Sequence, residues 1–186
     1  IKVIQEKCRA CHMCEAACIA AHQDVTIKDA RKLQGVYAPR INVIKDGDLK
    51  TAVRCHHCDD APCCSVCPTG ALKKTDAGHL ITPELCIACQ MCVRACPYGA
   101  VTLETVSIEE VSGVNDGNEC SLPARKVVSR CDLCKSWRLK GGKKITACME
   151  SCPARAIVMV QDDGSILEAP APVKKAVGDK TKKEIA

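Results

Sequence analysis

Four consecutive sets of four cysteines constrain this chain more than any other feature of its 186 residues. Cys8, Cys11, Cys14 and Cys18 follow C-x2-C-x2-C-x3-C spacing. Cys55, Cys58, Cys63 and Cys67 follow C-x2-C-x4-C-x3-C and lead into Pro68. Cys86, Cys89, Cys92 and Cys96 return to the first spacing and add Pro97. Cys131, Cys134, Cys148 and Cys152, followed by Pro153, stretch the middle gap to 13 residues. A C-x2-C-x2-C-x3-C-P run supplies thiolates to 4Fe–4S clusters, each cube taking four. Sixteen thiols so spaced predict four 4Fe–4S clusters. Zinc ribbons take their ligands as two separated pairs, and disulfides give no reason for three cysteines at three-residue intervals. Cys64 and Cys120 stand outside the pattern. Only Cys63 keeps the gaps, so Cys64 reads as its small buried neighbour and Cys120 as a free thiol in a loop.

The rest of the composition agrees. Aromatic residues make up only 2% of the chain (Trp137, Tyr37 and Tyr98, with no Phe), whereas an ordinary core of this size leans on them. Inorganic clusters take that volume here, and metal binding supplies much of the folding free energy. The iron-free chain is expected to be unfolded or molten. The formal charge of +5 counts cysteines as neutral. Each thiolate-bound cube contributes about −2, which brings the loaded protein to about −3. Lys7, Arg9, Arg94, Arg130 and Lys135 then read as compensation for clusters, and no nucleic-acid partner is expected. No apolar stretch approaches the roughly 18 residues of a membrane span, and no export signal precedes Cys8. A reduced, cytoplasmic setting is the expectation.

Three motifs share a cysteine–proline–turn–strand repeat: Cys67-Pro68-Thr69-Gly70-Ala71-Leu72, Cys96-Pro97-Tyr98-Gly99-Ala100-Val101 and Cys152-Pro153-Ala154-Arg155-Ala156-Ile157. Proline ends backbone donation after the ligand, and small residues let the chain turn tightly. Short strands are predicted at Lys2–Gln5, His79–Thr82, Val101–Leu103 and Ile157–Val160, with a further strand at Arg40–Ile44 ended by Asp46-Gly47. Each unit reads as strand, cluster loop, short helix and strand, like half a ferredoxin. The fold class is therefore α+β: two bacterial-ferredoxin-like modules, the second nested inside the first. Residues 1–30 plus 124–162 form the outer module and 51–105 the inner one. Residues 31–50 and 106–123 connect them, with a surface loop over Ser107–Ala124. An Ala/Pro/Lys-rich tail, 163–186, follows as a partner-binding extension in which Pro172 opens a short helix from Val173 toward Ile185.

The order of the motifs resembles the four-cluster electron-transfer subunits of molybdopterin oxidoreductases and their hydrogenase-linked relatives, over about Lys2 to Val160. Arg54-Cys55-His56-His57-Cys58-Asp59-Asp60-Ala61-Pro62-Cys63, Val66-Cys67-Pro68 and Arg130-Cys131-Asp132-Leu133-Cys134 look most like the small subunit of formate hydrogenlyase or of hydrogen-dependent carbon dioxide reductase. The resemblance implies a ligand pairing. Cys8, Cys11, Cys14 and Cys152 share one cluster, and Cys131, Cys134, Cys148 and Cys18 its neighbour. Cys55, Cys58 and Cys63 pair with Cys96, and Cys86, Cys89 and Cys92 with Cys67. Cys18 departs from the pattern, being followed by Ile19 instead of proline, which should loosen the turn without removing the ligand.

These features read as a non-catalytic electron-transfer subunit. The resemblance implies molybdenum- or tungsten-dependent formate dehydrogenase and hydrogenase as partners, with further copies or paralogues of the chain beside them. Carbon monoxide dehydrogenase, a sulfur-compound reductase or a freely diffusing polyferredoxin role are the alternatives, and an iron–sulfur redox sensor a further one, for which no effector domain is visible. His12, His56 and His57 lie inside cluster loops, where packing is a simpler role than bonding to cluster sulfur or coupling protons. Trp137 reads as buried in the fourth-motif insertion, with partner anchoring as the sharper option. Gly141-Gly142-Lys143-Lys144 is a basic turn that lacks the rest of a phosphate loop.

Overall fold

A computed structural model describes residues 1–75, 78–106, 125–161 and 163–170, with the backbone alone described at 78–80. The expected loop from 107 to 124, with Cys120, and the expected tail helix lie outside the described residues. The described elements mix short helices and strands along the chain, an α+β arrangement.

β1 (Lys2–Val3) leads through a 3₁₀ turn at Gln5–Lys7 to α1 (Met13–Gln23). The buried residues of α1 are Cys14, Ala16, Ala17, Cys18, Ile19 and Ala20. Side chains this small let α6 (Ala147–Ser151) pack closely against it. A loosened turn after Cys18 was expected. Instead, with no proline to stop it, α1 runs on to Gln23 and closes at Asp24, whose left-handed N–H donates to Ala20 O. α2 (Ile27–Lys32) starts at a proper cap, Thr26 Oγ1 accepting from Asp29 N–H at 3.2 Å.

β2 (Ile41–Asp46) and β3 (Leu49–Arg54) form an antiparallel hairpin turned at Gly47 (φ +53°) and Asp48. Only the first strand was expected. The expected module start at residue 51 falls within β3, whose Ala52 packs with Cys14, Cys18, Ile41, Cys148, Met149 and Ile157. α3 (Pro62–Ser65) and α4 (Met91–Ala95) flank a second core of Cys63, Leu72, Cys92, Val101 and Val128.

Two strand pairings repeat one pattern. β1 pairs antiparallel with β8 (Ile157–Val160), and Ile4 N–H extends the pairing to Ala156 O at 2.7 Å. β4 (Leu72–Thr75) pairs with β5 (Gly78–Ile81), and Thr82 N–H extends it to Ala71 O at 2.8 Å. In both, the strand entering one cysteine loop lies beside the strand leaving another motif's Cys-Pro turn. β6 (Thr102–Val106) pairs with β7 (Arg125–Ser129), which leads into the fourth motif and α5 (Lys135–Gly141). Gly142 (φ +58°) caps α5, so the glycine–lysine stretch is a helix stop. The expected tail begins at 163, yet Ile166–Leu167 fold back as β9 on β8.

Candidate iron–sulfur sites

The residue before the second cysteine is left-handed in every motif: Ala10 (φ +50°), His57 (+54°), Ala88 (+55°) and Leu133 (+58°). His12, Ala61, Gln90 and Cys134 add a second such residue in each loop. Outside glycine this conformation is uncommon and costs of order 1–3 kcal/mol. Its recurrence turns successive N–H groups toward one side, a concavity that suits an anion.

Around one small cavity stand Cys8, Cys11, Cys14 and Cys152. Around another stand Cys86, Cys89, Cys92 and Cys67. In each, three cysteines of one motif meet the fourth of another, 138 residues away from Cys14 in the first case. Cys14, Cys18 and Cys148 share one buried cluster with Cys152 against it, and Cys134 lies in the next. Cys55 and Cys131 share a third with Ala100, with Cys96 packed against it. Cys64 is half-buried beside Cys63 rather than buried.

Backbone donors point at several of the sulfurs. Ala100 N–H donates to Cys96 Sγ at 3.4 Å and Ala156 N–H to Cys152 Sγ at 3.3 Å. Val128 N–H reaches Cys86 Sγ at 3.4 Å, and Arg40 N–H reaches Cys18 Sγ at 3.3 Å, supplying the donor that a Cys-Pro turn gives elsewhere. Burial pushes the Cys14, Cys63 and Cys134 thiols up to about 12 and Cys131 up to about 11. At Cys67 burial also raises the thiol, but hydrogen bonds led by Leu72 N–H outweigh it and leave the thiol below its ordinary value. A coordinating metal deprotonates a thiol outright, so the burial is a cost that binding offsets.

Two arginines stand among these sulfurs. Arg130 was expected near a cluster; Arg54 was not singled out, although Arg54-Cys55 and Arg130-Cys131 are the same dipeptide. Both are buried, and among the described residues Nε of each has no hydrogen-bond partner. All-thiolate donor sets, inward N–H groups and orphaned guanidinium donors fit anionic 4Fe–4S clusters.

A polar brace supports the fourth motif. His22 Nε2 lies 2.9 Å from Asp132 Oδ1, His22 Nδ1 lies 2.7 Å from Cys18 O, and Arg40 Nη1 lies 3.2 Å from Asp132 Oδ2. His22, Asp132 and Cys134 converge within 4.8 Å, but these polar partners occupy His22 and Asp132. Sequence reasoning missed His22, Arg40 and this role of Asp132, because contacts 110 positions apart leave no local pattern. The expected loop histidines are placed separately. His56 stacks on Tyr98 at 3.9 Å between ring centroids. Burial, reinforced by Arg130 and Arg54, pulls His57 down to about 4, which keeps it neutral. His12 is exposed, 2.8 Å from Glu15. Trp137 lies under Lys143 (4.0 Å) beside a wider cleft that no cysteine lines.

The 4Fe-4S binding domain family matches residues 79–102, the third motif. An iron-sulfur protein of Rhodospirillum rubrum is 37% identical over 85% of this chain and 80% of its own length. Electron transport protein HydN of Escherichia coli is 38% identical over 83% of each. This chain is a member of the iron–sulfur electron-transport protein family. Longer relatives carry the same unit. AegA of Escherichia coli, named as an oxidoreductase, matches 84% of this iron–sulfur protein but only 21% of its own length. Among the described residues no helix is long and apolar enough to cross a membrane.

Proposed function

We propose that this iron–sulfur protein is the non-catalytic relay of a cytoplasmic oxidoreductase complex, holding four 4Fe–4S clusters in two ferredoxin-like modules, one nested in the other. Each cluster, when bound, takes up and gives back one electron. The observation that carries the reading is the pair of cavities in which three cysteines of one motif meet a fourth from another. The β1–β8 and β4–β5 pairings support the same grouping. The remaining sets are Cys131, Cys134, Cys148 with Cys18, and Cys55, Cys58, Cys63 with Cys96. Cys55 and Cys131 meet in one buried cluster, which supports electron passage between the two proposed modules there.

The partners proposed are a molybdenum- or tungsten-dependent formate dehydrogenase and a hydrogenase. The second-motif segment from Arg54 to Cys63 and its formate–hydrogen resemblance support that choice. AegA, in which a similar unit is about a fifth of a longer protein named as an oxidoreductase, supports a dedicated redox partner over a freely diffusing role.

Anaerobic native purification with mass spectrometry, together with iron analysis, tests the reading. About sixteen irons per chain, with formate dehydrogenase and hydrogenase subunits in stoichiometric amounts, is the expected result. Another oxidoreductase in their place keeps the relay and changes the reaction. Recovery of the loaded chain alone overturns the dedicated-subunit reading.

A further inference from the structure

Arg54 and Arg130 occupy equivalent places in sequence, each immediately before the first cysteine of a motif. They are 4% and 2% exposed. Among the described residues neither forms an ion pair with a carboxylate, and Nε of each has no partner. A lone buried guanidinium is strongly unfavourable unless an anion faces it.

Sulfur faces them, and it does so crosswise. Arg130 follows Ser129 into the fourth motif, yet its Nη1 donates to Cys55 Sγ of the second motif at 3.3 Å. Arg54 leads into the second motif, yet the buried thiols of Cys131 and Cys148 in the fourth act on its charge alongside its own neighbour Cys55. Its Nη1 is meanwhile fixed on the Cys55 carbonyl. Cys55 and Cys131 adjoin in one buried cluster, so the two arginines sit at the boundary between two cysteine sets.

The end sets differ. Around the end sets Lys7, Arg9 and Arg94 are exposed, while Arg125, which donates to the Cys86 carbonyl at 2.6 Å, and Arg155, in the turn after Cys152, are half-buried and so less enclosed than Arg54 and Arg130. Exposed charges are screened by water and salt, whereas buried ones act through a low dielectric. A fixed positive charge favours the one-electron-reduced, more negative state of a site beside it.

We infer that Arg54 and Arg130 are a crossed pair of fixed counter-charges, each raising the reduction potential of the cysteine set across the boundary, so that an electron rests at the middle of the relay rather than at its ends. The inference rests on the ligand sets proposed above. In this role the arginines are positioning residues, acting on electron distribution through the sulfurs.

Anaerobic potentiometric titration of the full, iron-loaded chain, read by electron paramagnetic resonance, tests it. Arg54→Gln should lower the reduced-to-oxidised ratio of one middle site roughly tenfold at fixed potential, a shift of about 59 mV. Arg130→Gln should do the same to a different site, and the double variant to both. Arg54→Lys and Arg130→Lys keep the charge and should stay within about threefold of the native ratio. Should a Gln variant lose iron, loss of about a quarter of it, restored by Lys, supports the same counter-charge. Unmoved potentials, both variants moving one site, Lys failing like Gln, or loss of all iron overturns it. A native protein holding fewer than about sixteen irons would instead count against the proposed ligand sets.

Discussion

Ala156 N–H donates to Cys152 Sγ across 3.3 Å, and the alanine that makes this bond is itself 1% exposed. Ala100 bears the same relation to Cys96 at 3.4 Å, and backbone bonds from Ala71 also reach Cys67. Cysteine, proline, two turn residues and alanine thus form one device, in which the smallest side chain brings a backbone donor onto the sulfur. Valine at position 156 would push two extra methyl groups into packed surroundings. Ala156→Val should cost about 1–3 kcal/mol and speed bleaching of the visible iron–sulfur absorbance, while Ala156→Ser does far less. Chemical denaturation of the loaded protein gives the first quantity and a chelator challenge the second.

The cavities make a sharper demand on the cysteines. Cys11 and Cys152 line one cavity, Cys89 and Cys67 another. Cys11→Ser and Cys152→Ser should therefore alter the same resonance signal, although they lie 141 positions apart in the chain. Cys67→Ser and Cys89→Ser should alter a second signal and leave the first intact. If Cys152→Ser matched Cys148→Ser instead, the assignment by cavity would be lost.

Much of this arrangement is visible in the linear order of residues. The cysteine spacing and the Cys-Pro repeat place the loops and the strands that leave them, and Ile157–Val160 forms where its apolar run lies. What is hidden is long-range. Nothing local announces that Leu49–Arg54 closes a hairpin, since Leu49-Lys50-Thr51 has a weak strand pattern and pairs only because β2 offers a register. The arginine crossing from the fourth motif to Cys55 is equally invisible, because a basic residue beside a cysteine reads as compensation for a cluster without saying which motif it reaches. Cys18 misled the turn expectation for a physical reason. A missing proline removes the helix stop, and Arg40 N–H from a distant segment replaces the lost donor.

Asp132 predicts a pH effect of known sign. Burial favours its neutral form, but the bond with His22, the Arg40 guanidinium and the Cys134 N–H together hold its carboxyl at about 2, below the ordinary 3.8. A carboxyl depressed by folding stabilises the fold above its unfolded value, and that contribution fades as pH falls toward the folded one. Asp132→Asn lacks the charge at every pH. The denaturation midpoint of the native protein should therefore exceed that of the variant most at neutral pH. The gap should narrow below about pH 4 and close near pH 2. Comparing the two proteins cancels the acid sensitivity of the sulfur sites, which both share.

Iron removal tests what holds the core together. The two main buried clusters are built on Cys14, Cys18, Cys148, Cys63 and Cys92, joined by Ile41, Ala52, Met149, Ile157, Leu72, Val101 and Val128. Besides the cysteines these clusters hold few side chains and no aromatic one, and each buried methylene contributes only about 0.8 kcal/mol. The loops add at least eight left-handed non-glycine residues, each costing of order 1–3 kcal/mol. Hydrophobic burial alone does not offset that strain together with the chain entropy of a domain this size. Anaerobic chelation should abolish the cooperative thermal transition and expose backbone amides to rapid exchange across α1, α6 and the β2–β3 hairpin. Reconstitution with iron and sulfide should restore both. An iron-free chain that kept slow exchange at Met149, which is fully buried, would show that packing carries the fold without the metal.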